Sequence, residues 1–161
     1  MATDSFLKMD NVEGESKDKV HKKEIDVLAW SWGMAQSGSF GTGGGGGSGK
    51  ASFQSLSVTK YIDKSTPTIQ LYCASGQHFK KARLTVRKAG GKDPLEYLVI
   101  DMKKVLVTSY QTGGSGGEDK LTENISLNFA EVSVAYKEQK EDGSGDTPIT
   151  FDWSIEANAQ L

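Results

Sequence analysis

FKKARLTVRK, residues 79–88, decides the class of fold. Ala82, Leu84 and Val86 alternate with Arg83, Thr85 and Arg87, a period of two that predicts a strand with one buried and one wet face. Outward from it, the same alternation returns at both ends of the chain. Ile149, Phe151, Trp153 and Ile155 alternate with Thr150, Asp152 and Ser154. Leu28, Trp30, Trp32 and Met34 share one parity, opposite the small Ala29, Ser31 and Gly33.

Two further segments depart from simple alternation. From Thr122 the apolar parity is odd at Ile125, Leu127 and Phe129, then even at Val132, Val134 and Tyr136, which predicts a one-residue bulge near Ala130 and Glu131. Segment 95–110 is apolar on both parities, with Tyr97, Val99, Val105 and Val107 against Leu98, Ile100, Met102 and Leu106. Such a strand is expected to be covered on both faces, by a helix or by a neighbouring copy. Tyr97, Val99, Val105 and Val107 are accordingly candidates for a subunit interface.

One helix is predicted over 66–75. Ser65 or Thr66 can cap it, Pro67 suits its first turn, Gly76 can end it, and Ile69, Tyr72 and Cys73 form one apolar stripe. Turns are marked by Gly90-Gly91, by 113–117 and by 142–145, and the glycine run 41–49 reads as a mobile excursion. The expected architecture is mainly β: six to nine strands and one helix, as a barrel or a sandwich, in a single domain over 1–161.

Composition narrows the function. Nineteen basic and 21 acidic side chains leave a net charge of −2, without the basic excess that neutralises phosphates, so no nucleic-acid partner is expected. No apolar run reaches about 18 residues, so no membrane insertion is expected. The N-terminus lacks the apolar core of a cleaved signal, which predicts synthesis and folding in the cytoplasm. The lone Cys73 excludes an intramolecular disulfide.

No chemistry assembles itself from the motifs. Gly44-x4-Gly49-Lys50 approaches a phosphate-binding loop, but Ala51 replaces the metal-binding hydroxyl and the following residues alternate like a strand. Of two histidines, His21 lies in a lysine-rich turn and His78 just past the helix, where it suits the C-terminal dipole. Cys73 sits on the apolar stripe as a packed thiol, and Asp142 to Asp146 reads as a turn rather than a calcium loop. Glu118, Asp119 and Glu123 read as a solvated rim. No catalytic, metal or cofactor site is expected, so the chain is not expected to be an enzyme. A carbohydrate-binding sandwich would expose aromatics, whereas Trp30, Trp32 and Trp153 all take the apolar parity.

Several segments, in order along the chain, resemble the Hcp family, the haemolysin-coregulated proteins of the type VI secretion system. They are Gly14-Glu15-Ser16, Glu24 to Leu28 running into Trp30-Ser31-Trp32-Gly33, and the glycine-rich run. VTKYIDKSTP at 58–67, LTVRKAG at 84–90, GGED at 116–119 and ITF with Trp153 continue the match. The resemblance implies a β-barrel of two antiparallel sheets flanked by one α-helix, six copies in a ring, and rings stacked into a tube within a contractile sheath. It also implies a spike protein at the tip, toxin effectors in the lumen, and export without a cleaved signal.

Size is compatible with that arrangement. A chain of this length has a radius of gyration of about 15 Å. Six equal discs in a ring enclose a hole about one disc wide, enough for a small folded domain. On this reading Ala29, Ser31 and Gly33 either line the channel or accept a closely packed neighbour. Gly41, Gly43, Gly44, Gly45, Gly46, Gly47 and Gly49 are expected to contact the next ring.

Overall fold

The computed structural model describes residues 3–38, 50–88 and 93–161. In chain order the elements are β1 (Thr3–Met9), β2 (Ile25–Val27), β3 (Ala29–Ser31), β4 (Met34–Gln36), β5 (Ala51–Phe53) and β6 (Leu56–Tyr61). Then come α1 (Thr66–Ser75), β7 (Phe79–Lys88), β8 (Leu95–Gly113), β9 (Thr122–Tyr136), β10 (Ile149–Ser154) and β11 (Ala159–Gln160). The chain is mainly β, its described residues forming two antiparallel sheets and one helix.

The larger sheet runs β11-β10-β9-β8-β7-β1-β2, and β6 pairs with both β9 and β3. Strand β9 serves two neighbours on one edge: β6 along its first half and β10 along its second. Among the described residues the ladder is not closed into a barrel. Consecutive β2 and β3 pair with β1 and β6 respectively, and the Leu28 N–H to Thr59 carbonyl bond, 2.8 Å, spans the junction. The smaller sheet is the β4–β5 ribbon. The core lies between the curved halves of the large sheet, centred on Leu7, Leu84, Ile100, Met102, Ile125, Leu127 and Ile69.

Helix α1 begins and ends at the expected residues. Ser65 makes no side-chain cap. Asp63 stands in for it, accepting from the Ser65 N–H at 2.9 Å, while Thr66 Oγ1 accepts from the Asp63 N–H at 3.1 Å. At the other end Gly76 adopts φ +68°, where a side chain is disfavoured, and donates its N–H to the Tyr72 carbonyl. Ile69 and Tyr72 dock the helix on the sheet, Tyr72 stacking on Phe79 at 5.5 Å.

Strand β7 spans the expected residues, but its second face is not wet throughout. Thr85 and Arg87 are buried with Leu84 and Val86, because the segment between β1 and β2 folds across that face. His21 stacks on Phe6 at 4.4 Å, and Arg87 donates to Asp18 at 2.6 and 3.0 Å and to Asp4 at 3.1 Å. The Arg87 guanidinium holds the Asp18 carboxyl well below the usual carboxylate range.

Gly14 sits where this segment crosses β2. A Cβ there would lie 2.4 Å from the Glu24 carbonyl oxygen, so the backbones meet without room for a methyl. Gly14→Ala is expected to cost about 1–3 kcal/mol, as forced overpacking does. A urea midpoint unchanged from that of the parent chain would refute this.

The parity switch in β9 is present, but its cause is not a bulge at Ala130. Strands β8 and β9 switch together, keeping one register from Asp101↔Ser133 through Val107↔Leu127. Between Lys103↔Glu131 and Val105↔Phe129, Lys104 takes φ +54°, in the left-handed region. The recorded register shift lies further on, between Val107 and Ser109. This twist carries β8 from even core residues (Ile100, Met102) to odd ones (Val105, Val107).

Candidate functional surfaces

The pairing registers assemble a surface that no single strand reveals. Ser31 pairs with Ser57, Ser57 with Ser126, and Ser126 with Ser109, so a row of four serines crosses β3, β6, β9 and β8. The neighbouring row is Ala29, Thr59, Asn124 and Gln111. Both rows lie on the face opposite the core residues Val58, Ile125 and Leu127, and no member carries a charge. Directly paired side chains sit about 5 Å apart, and Thr59 Oγ1 donates to Asn124 Oδ1 at 2.6 Å. A quarter of the chain is charged, and the charges stand elsewhere on the sheet. Lys81, Lys103 and Glu131 form one row, and Arg83, Asp101, Ser133 and Asp152 the next, with Arg83 bidentate on Asp101 at 2.6 and 3.1 Å.

Of the three small residues singled out in the sequence, Ala29 and Ser31 are exposed members of these rows. Gly33 is not. It lies between β3 and β4, half-buried, and a Cβ on it would meet Gln54 Oε1 at 3.3 Å. Trp30 and Trp32 turn the other way and pack against the core, Trp32 beside Phe53 and Phe129, each at 6.3 Å.

The four candidate interface residues of β8 divide. Val105 and Val107 are fully buried in the chain's own core, because the twist at Lys104 turns them inward beneath α1, so they are not available to a partner. Tyr97 and Val99 are half-buried on the outer side. Tyr97 meets Tyr136 edge-on at 6.4 Å and lies under Lys88 Nζ at 5.0 Å. The glycines from Gly41 to Gly49 lie outside the described residues. Downstream of them Ala51–Phe53 is a strand, not the helix a phosphate-binding loop would open.

Both ends of the long strand β9 expose apolar side chains. At its end Tyr136 pairs with Ile149, and Val134 with Phe151. The alternating apolar face read in Ile149, Phe151 and Trp153 forms, yet it is not buried: Ile149 is 74% and Phe151 38% exposed. Only its inner end is covered, Trp153 packing against the core with Phe151 stacked on it. At the start of β9, Tyr61, Ile62 and Leu121 line a recess of about 490 Å³ together with Glu15, Asp26, Asp63, Asp119 and Lys120.

Two polar clusters went unread in the sequence. Glu123 is not a rim residue; it and Lys60 are both fully buried and ion-paired. Lys60 Nζ also donates to the Tyr61 carbonyl at 2.9 Å and Asp63 Oδ1 at 3.0 Å. Glu123 accepts from Thr66 Oγ1 at 2.8 Å and from the Tyr110 hydroxyl at 2.5 Å. Burial and the Glu123 carboxylate hold the Tyr110 phenol above its ordinary range. His21 is buried between Glu24, 2.8 Å from Nδ1, and Glu96, 2.5 Å from Nε2. Both ring nitrogens are thus engaged, and the imidazole ties the crossing segment to β8. Each cluster joins parts of the chain distant in sequence, and each is satisfied within itself.

Residues 6–136 match the family model described as "Type VI secretion system effector, Hcp". The protein Hcp1 of Pseudomonas aeruginosa is 62% identical over 161 residues, with 99% of each chain covered. A solved type six secretion system protein superposes with a TM-score of 0.92 at 32% identity, covering 99% of this chain and 100% of its own. Hcp1 from Salmonella typhimurium does so at 0.80 and 36%, with both chains covered in full.

Proposed function

Because the chain belongs to the Hcp family of type VI secretion proteins, a family of structural proteins and not of enzymes, we propose that it is the repeating subunit of the secretion tube. Six copies close into a ring, rings stack within the contractile sheath beneath a spike protein, and toxin effectors travel in the lumen. The protein is made in the cytoplasm and leaves the cell as part of the tube. Gly41 to Gly49 contribute to stacking, and Tyr97 and Val99 to the contact between subunits. Light scattering on the purified protein is the check on ring size, at about six times 17.4 kDa.

The observation that carries the reading is the uncharged serine row. A conduit must hold its passenger and then release it. Fixed charges along a channel would retain opposite charges and repel like ones, whereas hydroxyls offer bonds worth only about 0.5–1.5 kcal/mol net against water. The rows containing Ser31, Ser57, Ser126 and Ser109 therefore face the lumen on this reading, and the charged rows face outward.

Ser31→Gln tests it. A long amide in the row should leave ring mass and thermal stability unchanged while export of a co-produced effector falls by about tenfold, the equivalent of about 1.4 kcal/mol of binding. Dissociation of the ring would place Ser31 in a subunit contact instead. Normal assembly with normal export would remove the cargo role from this face.

A further inference from the structure

We infer that His21 is a proton-operated clasp: with both ring nitrogens protonated it ties the crossing segment to the start of β8, and when the ring loses one proton Glu96 is the contact it releases. The inference concerns the single subunit and stands whether or not copies assemble.

The ring is buried and lies flat on Phe6, the planes inclined by 11° and the centroids 4.4 Å apart, a stack that fixes the plane in which its nitrogens point. Nδ1 faces Glu24 Oε2 at 2.8 Å, and Nε2 faces Glu96 Oε1 at 2.5 Å. An ionised carboxylate only accepts hydrogen bonds, whereas a neutral imidazole donates from one nitrogen and accepts at the other. A neutral ring would therefore set one nitrogen lone pair against a carboxylate oxygen. Only the imidazolium donates to both.

The surrounding charges give no substitute for that proton. Arg87 of β7 is taken by Asp18 on the segment and by Asp4 of β1, and Arg83 of β7 is taken by Asp101 of β8. Lys8 of β1 stands beside Arg83 in the ladder. On the segment itself Lys22 and Lys23 are exposed, and Lys23 reaches toward Glu13. Arg83 lies near enough to Glu24 and Glu96 to feel both. Yet among the described residues neither of those carboxylates is ion-paired to any group but His21. One removable positive charge thus stands between two negative ones.

The two contacts are not equally free to part. Glu24 is three residues from His21 on the same segment, with a side chain 15% exposed, while Glu96 comes from β8 and is 37% exposed. Glu96 can turn into water without dragging the backbone. When the pH rises and the ring gives up a proton, Nδ1–H stays on Glu24, and the bare Nε2 repels Glu96. That contact is the one joining parts of the chain 75 residues apart. Its contribution is present while the ring holds both protons and is lost as the pH rises through the ring's titration. It fades again in acid, when Glu24 and Glu96 themselves take up protons. Opening the clasp loosens the segment that covers Thr85 and Arg87.

Nitrogen-15 spectra of the histidine rings, with amide exchange measured on the same protein, test this. The chain has one other histidine, the exposed His78, and His78→Gln assigns the signals. His21 should show two ring N–H groups at the acid end of the folded range and one at the alkaline end. As the second proton leaves, the Ser16, Lys23 and Glu24 amides, all bonded within the segment, should exchange faster relative to those of β9. The change should be about tenfold or more, as expected for one hydrogen bond to a charged group. Glu96→Gln keeps the size of the side chain, and its amide can accept from a protonated nitrogen or donate to a bare one. In that variant the segment's exchange relative to β9 should no longer follow the ring's protonation. A His21 ring that carries one proton throughout would overturn the inference, and so would segment exchange indifferent to the second proton. Glu96→Gln retaining the parent's pH dependence would overturn it too, since the switch would then lie on another group.

Discussion

Glu123→Leu is expected to destabilise the protein by about 3–5 kcal/mol, the cost of leaving a buried charge without its partner. Lys60 has no exposed surface. Without Glu123 its ammonium keeps Asp63 and the Tyr61 carbonyl, but loses the one carboxylate buried as deeply as itself. The Thr66 and Tyr110 hydroxyls lose their acceptor at the same time. The double variant Lys60→Met with Glu123→Leu should recover most of the loss, since apolar side chains of similar volume often replace a buried pair at little cost. Urea unfolding of parent, single and double variants measures all three. A double variant as unstable as the single one would show that the network does more than neutralise itself.

Ile69→Ala should cost about 2–5 kcal/mol, for a different reason. Helix α1 carries ten residues and presents only Ile69, Tyr72 and Thr66 as buried side chains, so its attachment depends on very few contacts. An isolated helix of this length is not stable in water. With Ile69 truncated, the packing over Phe79, Val105 and Val107 loosens and a cavity opens beneath the helix. The loss should appear in denaturant unfolding, together with faster amide exchange in 66–75 than in β9. An exchange pattern in which β9 opens as readily as the helix would mean the helix is not the weakly held element.

Local signals were legible where their cause was local. Pro67 and Gly76 fixed the ends of the helix from sequence because each constrains its own backbone. The alternation in 79–88 gave the strand for the same reason. What escaped depended on partners far along the chain. Lys60 and Glu123 are 63 residues apart, and either alone reads as an ordinary surface charge. His21 and Glu96 are 75 apart. Val105 and Val107 were assigned outward because Lys104 announces nothing about a left-handed backbone, and one such residue reverses the faces of everything beyond it. The serine row needed three registers at once. Ser31 could be placed on the face away from the tryptophans, but Ser57, Ser126 and Ser109 join it only through pairing. Ile149 was the converse case: its alternation marks one apolar face, but the burial that alternation predicts fails at Ile149, because burial depends on what packs over a strand and not on its own period.

The shared strand β9 has a mechanical consequence. Along one edge it is bonded to β8 from Thr122 to Tyr136, and along the other to β6 and then β10. Antiparallel bonds lie across the strands, so a load directed along β9 strains both edges in shear, and many bonds must yield together before the strand slips. A load that peeled the sheet from its rim would break them singly. A sheet bonded this way is stiff along β9 and weak across it.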